Sequence, residues 1–135
     1  MQQEVTAKLS YLRIGPRKVR LIADMIRGKK VVKALEMLSL TQKVAARPVL
    51  KLLNSAVANA KHNFSLDVEN LKVERITVDG GPVLKRWMPK AHGRATPVRE
   101  RTSHIKLVLT AKIEDKEVKK EKKKEVKKED KKTTK

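Results

Sequence analysis

Leu71-Lys72-Val73-Glu74-Arg75-Ile76-Thr77-Val78 and Thr102-Ser103-His104-Ile105-Lys106-Leu107-Val108-Leu109-Thr110 decide the fold of this chain. Both stretches are rich in β-branched and leucine residues, and both are broken by polar or charged side chains. That composition predicts strands with one dry and one wet face. Between them, Asp79 to Arg101 carries Gly80-Gly81-Pro82, Pro89, Gly93 and Pro97. It also carries the cations Lys85, Arg86, Lys90, Arg94, Arg99 and Arg101, with Glu100 the lone acid after Asp79. Such a segment reads as a basic surface loop, as a lid over an active site, or as an extended β-hairpin whose tip enters a partner. The lid needs a site, and the sequence supplies none. The hairpin is favoured because flanking strands with compatible alternation pin both ends. About 12 residues on each side reach ~40 Å at ~3.3 Å per residue. A body of about 110 residues has a radius of gyration of only ~13 Å, so the arm is too long to pack along it. Prolines and glycines are expected to spoil the ladder at the tip, leaving its shape to something anionic outside the chain.

Moving outward, Val5, Ala7, Leu9 and Tyr11 alternate with polar residues and predict a half-buried strand. Gly15-Pro16 opens a helix, since proline suits the first helical position. Its apolar stripe is Val19, Ile22, Ala23 and Ile26, and Gly28 is its left-handed stop. Val31, Ala34, Leu35 and Leu38 give a short second helix. Thr41 is the expected N-cap of a third, longer one, with Val49, Leu52, Leu53, Ala56 and Ala60 inward and an end near Asn63. Lys43, Arg47 and Lys51 form a basic stripe on it, and Pro48 is a misfit that kinks a helix begun so early. Residues 64–70 read as a loop. From Ala111 on the chain is low-complexity Lys/Glu, so residues 1–110 form the expected domain and 111–135 a tail. The tail has little to bury, which predicts disorder. Its Glu117, Glu121, Glu125 and Glu129, each with Lys three residues on, give a transient helix some support.

The chain has 135 residues and a net charge of +19. Residues 111–135 hold 12 Lys and 7 acids, while residues 1–110 hold 22 Lys and Arg against 8 acids. The body is therefore strongly basic on its own, which favours a polyanionic partner. Cysteine is absent, which removes disulfides, thiol catalysis and Cys-zinc sites. His62, His92 and His104 are scattered, no nucleophile–base grouping or phosphate loop is present, and neither an enzyme, a metal nor a cofactor is expected. No apolar run approaches the ~18 residues of a membrane span, and the first residues lack the pattern of a signal peptide. Three aromatics, Tyr11, Phe64 and Trp87, argue against single-strand binding on an aromatic platform. Arg13, Arg17, Lys18, Arg20, Arg27, Lys29, Lys30 and Lys33 face only Asp24 and Glu36, a one-sign cluster that a phosphate backbone offsets. A basic DNA-architectural protein with a β-arm fits the same composition as an alternative.

Three motifs narrow this choice. They are Pro16-Arg17-Lys18-Val19-Arg20 through Arg27-Gly28-Lys29-Lys30, Ser55-Ala56-Val57-Ala58-Asn59-Ala60-Lys61-His62-Asn63, and Gly81-Pro82 through Lys85-Arg86, Pro89-Lys90-Ala91, Gly93-Arg94-Ala95 and Arg101-Thr102-Ser103-His104-Ile105. With them the chain closely resembles, over about residues 4–110, the bacterial form of the twenty-second large-subunit ribosomal protein family. The resemblance implies an α+β fold of three helices on a three-stranded antiparallel sheet with a long β-hairpin. It implies a monomer bound to large-subunit ribosomal RNA on the cytoplasmic ribosome, without membrane insertion, acting early in subunit assembly. Its neighbours would be other large-subunit proteins, including the second protein of the tunnel constriction, and the nascent peptide, with a role in the macrolide response. The RNA contacts expected on the body are Lys8, Arg13, Arg17, Lys18, Arg20, Arg27, Lys29, Lys30, Lys43, Lys61, His62 and His104. On the hairpin they are Lys85, Arg86, Lys90, Arg94, Arg99 and Arg101. The tip, within about 82–97, would line the tunnel with Leu84, Lys85, Arg86, Trp87, Met88, Pro89, Lys90, Ala91, His92 and Gly93. Gly15, Trp87, Lys90, His92, Thr96-Pro97 and Glu100 depart from the family pattern.

Overall fold

The computed structural model describes residues 3–111. The order is β1 (Gln3–Leu12), α1 (Pro16–Ile26), α2 (Val31–Leu40), α3 (Ala46–Phe64), a 3-10 turn (Val68–Asn70), β2 (Leu71–Pro89), a second 3-10 turn (Ala91–Gly93) and β3 (Ala95–Ala111). The three strands form one antiparallel sheet in the order β1-β3-β2, so β3 is central. The α+β architecture expected from the sequence is the one observed.

Apolar periodicity places the core. Val19, Ile22, Ala23 and Ile26 of α1, Val31, Ala34 and Leu38 of α2, and Val49, Leu52, Leu53, Ala56 and Ala60 of α3 are buried. They meet Val5 and Ala7 of β1, Leu71, Val73, Ile76 and Val78 of β2, and Ile105, Leu107, Leu109 and Ala111 of β3. The alternation on β2 breaks between Val73 and Ile76 because the register slips there: Val73 faces Leu109 and Arg75 faces Val108, leaving Glu74 as an extra residue. A bulge of this kind restores the inward parity of the apolar residues that follow. The free edge of β2 is closed at this point. Gly28 N–H donates to the Val73 carbonyl and Val73 N–H to the Lys29 carbonyl, both at 2.9 Å. Gly28, at φ +73°, makes the reversal that brings this segment back.

Four expectations need correction. Thr41 does not cap the third helix. It ends α2, its hydroxyl donating to the Met37 carbonyl at 2.6 Å, the back-bond a Thr makes to the residue four before it. Helix α3 therefore begins at Ala46, which puts Pro48 in its first turn, where an N–H has no intrahelical partner to lose. The same shift leaves Lys43 outside the helix, so the basic stripe keeps only Arg47 and Lys51. Tyr11 does not join the inward side of β1. A register shift between Leu9 and Leu12 puts it at φ +56° and leaves it 67% exposed.

The hairpin is real, and its ladder is more regular than its prolines suggested. After Gly80↔Ser103 the register shifts by one, and seven pairs follow in step from Val83↔Arg101 to Pro89↔Ala95. Pro82 falls inside the shift, and Pro97 stands on a ladder of only two strands, positions where a missing N–H is tolerated. The turn closes over Lys90–Arg94, with Lys90 N–H donating to the Arg94 carbonyl at 2.7 Å and His92 and Gly93 both at positive φ. The paired arm is about 20 Å long at ~3.3 Å per residue, six steps of ladder. That is half the reach inferred from the sequence, because Thr102 and Ser103 are still buried in the body. Ala111 belongs to the sheet as well, opposite both Gln3 and Leu71, so the body extends one residue into the expected tail. The expected tail helix lies outside the described residues.

Candidate nucleic-acid interface

Folding gives some of the cations long-range partners within the protein and leaves the others facing outward. Arg20 Nε and Nη2 donate to the Val78 carbonyl at 3.3 and 3.2 Å, and Arg27 Nη2 donates to the Ile76 carbonyl at 3.2 Å. Arg27 also pairs with Asp24 at 2.7 Å. These two arginines pin α1 to the edge of β2. Lys29 Nζ turns inward to Met37 Sδ at 3.2 Å. His104 Nδ1 accepts the Tyr11 N–H at 3.1 Å, and the two rings meet edge to face at 4.8 Å. All four residues belong to the expected RNA set, and all four have structural work inside the protein. For Arg20 and Arg27 the sequence showed the charge but not the carbonyls they reach, which belong to residues about 50 or more positions away.

The presented cations form three groups. At the root of the arm, Arg13 from the β1–α1 connection, Lys18 from the start of α1 and Arg99 and Arg101 from β3 line one concavity with Val44, Leu84, Thr102 and Glu100. Along the edge of the sheet, Lys8, Arg47 and Lys51 surround a shallow groove floored by Leu9, Pro48 and Leu52. Arg47 and Lys51 were left out of the expected contacts, although their i, i+4 spacing was readable. On the arm, Lys85 stands directly opposite Arg99, with Arg86, Lys90 and Arg94 further out, all exposed. Arg17, Lys30 and Lys43 are exposed singly, and Lys61 and His62 occupy the last turn of α3, where the Lys61 charge favours the helix dipole. The open face of the sheet is mixed, with Arg75 and Lys106 beside Asp79 and Thr77.

The cross-strand pair Lys85–Arg99 is informative. Like charges directly opposite each other on a ladder repel. Here the next residue on the same face of β3 is Arg101. Solvent screens part of this, and a bound polyanion removes it. Among the described residues no group of three or more His, Asp or Glu is placed to hold a metal ion. No helix among them is long and apolar enough to cross a membrane.

Residues 7–110, from β1 to the end of β3, match the family model described as ribosomal protein L22p/L17e. The chain belongs to the ribosomal protein L22p/L17e family. It is 54% identical over 112 residues to the large ribosomal subunit protein uL22 of Desulfitobacterium hafniense, covering 83% of this chain and 98% of that one. It is 54% identical over 109 residues to the large ribosomal subunit protein uL22 of Syntrophotalea carbinolica, covering 81% and 99%. L22p/L17e proteins are structural and non-enzymatic, in accord with the lack of a catalytic grouping in the sequence. The matched range includes both strands of the arm, so the arm is part of the L22p/L17e domain and not an addition to it.

The division of cations gives a paired expectation for this L22p/L17e protein. Arg20→Ala removes two hydrogen bonds to a strand edge and lowers stability by about 1 kcal/mol, leaving the salt dependence of RNA binding unchanged. Arg17→Ala leaves the melting temperature in place and lowers the slope of log affinity against log salt by about 1 if it holds one phosphate. Thermal melts and a salt titration of both variants check this. A slope that falls in Arg20→Ala and not in Arg17→Ala reverses the assignment.

Proposed function

We propose that this protein binds large-subunit ribosomal RNA through the root concavity, the sheet-edge groove and the arm, supports early subunit assembly, and sets its hairpin tip into the wall of the nascent-peptide tunnel. The coarse part follows from family membership: the chain is a structural protein of the large ribosomal subunit, on the cytoplasmic ribosome. The observation that carries the finer part is the arm. It is a two-stranded ladder projecting from the body, with cations on both strands and Glu100 as its one acid. It needs surroundings that are both enclosing and anionic, and folded RNA is both. A-form RNA is recognised by shape and backbone, which suits scattered cations without a base-reading element. The partners are large-subunit RNA, neighbouring large-subunit proteins including the other protein of the constriction, and the passing peptide at the tip.

Deleting Leu84-Lys85-Arg86 tests the tunnel placement while leaving most of the RNA-contacting cations in place. It removes three rungs of the arm and touches nothing in the helical core. The domain is expected to fold and to sediment with large subunits after a high-salt wash, while macrolide susceptibility and peptide-induced stalling change. Loss of sedimentation in the unaltered protein overturns RNA binding. Normal sedimentation with unchanged susceptibility and stalling overturns the tunnel wall.

A further inference from the structure

The register of the arm sorts its side chains in a way the sequence did not reveal. Residues directly opposite on an antiparallel ladder share a face, and the face alternates at each step. Val83, Lys85, Trp87 and Pro89 therefore share one face with Arg101, Arg99, Pro97 and Ala95. Leu84, Arg86 and Met88 share the other with Glu100, Val98 and Thr96. The first face carries three cations and no acid. The second carries one cation, one acid and the apolar Leu84, Val98 and Met88. Trp87 thus sits on the cationic face, opposite Pro97 and two steps beyond the Lys85–Arg99 pair. It is 70% exposed.

We propose that Trp87 is a seat for a single unpaired nucleotide of the RNA, the base stacking on the indole and its phosphate held by Lys85 and Arg99. This rests on the RNA-binding reading and assigns a role within it. An exposed indole is costly to leave in water, and its flat face suits any nucleobase. Positive charge on the same face selects an anionic partner over a neutral peptide, and a nucleotide offers a ring and a phosphate one sugar apart. Pro97 holds the other strand without a large side chain to cover the ring. Three aromatics are too few for a platform that tracks a strand, but one nucleotide needs one ring. The apolar, charge-balanced face of Leu84, Val98 and Met88 is then the face left for peptide. Trp87 leaves the expected tunnel-lining set, and Met88 and Leu84 stay in it.

Trp87 is the only tryptophan in the chain, so its fluorescence reports this site alone when excited beyond the absorption of tyrosine. The experiment titrates the full-length protein with a short single-stranded oligoadenylate carrying a terminal dye, following indole emission and dye anisotropy together. Inorganic polyphosphate, which has charge and no bases, is the parallel titrant. Expected is quenching by oligoadenylate that tracks anisotropy, with little quenching by polyphosphate. Trp87→Ala should weaken oligoadenylate binding by about 5- to 150-fold, the range of one base stacked on one ring, and Trp87→Phe should recover most of it. Equal quenching by polyphosphate overturns the seat. So does binding seen by anisotropy with unchanged emission, and a blue shift on adding an apolar peptide would then give Trp87 to the peptide. Absence of any RNA binding overturns the parent reading instead, so the two failures are distinct.

Discussion

Raising monovalent salt from 50 to 200 mM is expected to lower the affinity of this protein for isolated large-subunit RNA by about 10³–10⁵, the loss that accompanies neutralising on the order of 6–10 phosphates on duplex-based slopes. The cations that folding leaves free set the upper bound on that number. Arg20, Arg27 and Lys29 already spend donors within the protein and are expected to contribute less. Arg13, Lys18, Arg99 and Arg101 at the arm's root, Lys8, Arg47 and Lys51 at the groove, and the arm's outer cations are the free ones. Few acids stand among them, so little internal pairing competes with phosphate. The slope comes from equilibrium binding to an RNA fragment at several salt concentrations. A flat profile would mean that contacts other than charge hold the complex.

A second large effect is expected from one methyl group. An added Cβ at Gly81 lies inside van der Waals distance of Thr102 Oγ1 and 3.0 Å from His104 Nε2, whereas at Gly80 it meets nothing within 4 Å. The crowded oxygen has little freedom to move, because Thr102 is 5% exposed and its hydroxyl donates to the Pro82 carbonyl at 2.7 Å. His104 is held by the Tyr11 N–H. Gly81→Ala should therefore cost about 1–3 kcal/mol, as overpacking does, and lower the melting temperature by several degrees per kcal/mol. Gly80→Ala should be close to neutral. Thr102→Ala in the Gly81→Ala background removes the obstructing oxygen, so the two changes should cost less together than their sum. Equal melting temperatures for the two glycine variants would mean that the close approach does not exist in solution.

The elements that the sequence made legible are those with a local cause. The stripes of α1, α2 and α3 follow from spacing, and Pro16 and Gly28 mark a start and a reversal by their own backbone preferences. Thr41 was misread because a hydroxyl at a helix boundary serves either end. It caps a following helix through an N–H or closes a preceding one through a carbonyl, and only the carbonyl of Met37 decides. Tyr11 was misread because alternation says nothing about a bulge, which depends on the partner strand. The candidate surface was legible as charge and not as assignment. Whether an arginine is free for phosphate depends on carbonyls such as those of Ile76 and Val78, which the fold delivers. That Arg99 and Arg101, and not Val98 and Glu100, share a face with Lys85 and Trp87 depends on a one-residue slip at Gly80–Val83.

That slip lies on β2 alone. Strand β3 runs 17 residues from the arm into the middle of the body's sheet, and on the arm side of the slip all seven pairs keep step with it. The arm is thus a removable length of one continuous ruler. Adding or removing two residues on each of its strands changes how far the tip stands from the body by about 6.6 Å. Every side chain keeps its face, and the inward row of Ile105, Leu107 and Leu109 is untouched. Depth of insertion is an independently adjustable dimension of this protein, set by counting residues in pairs.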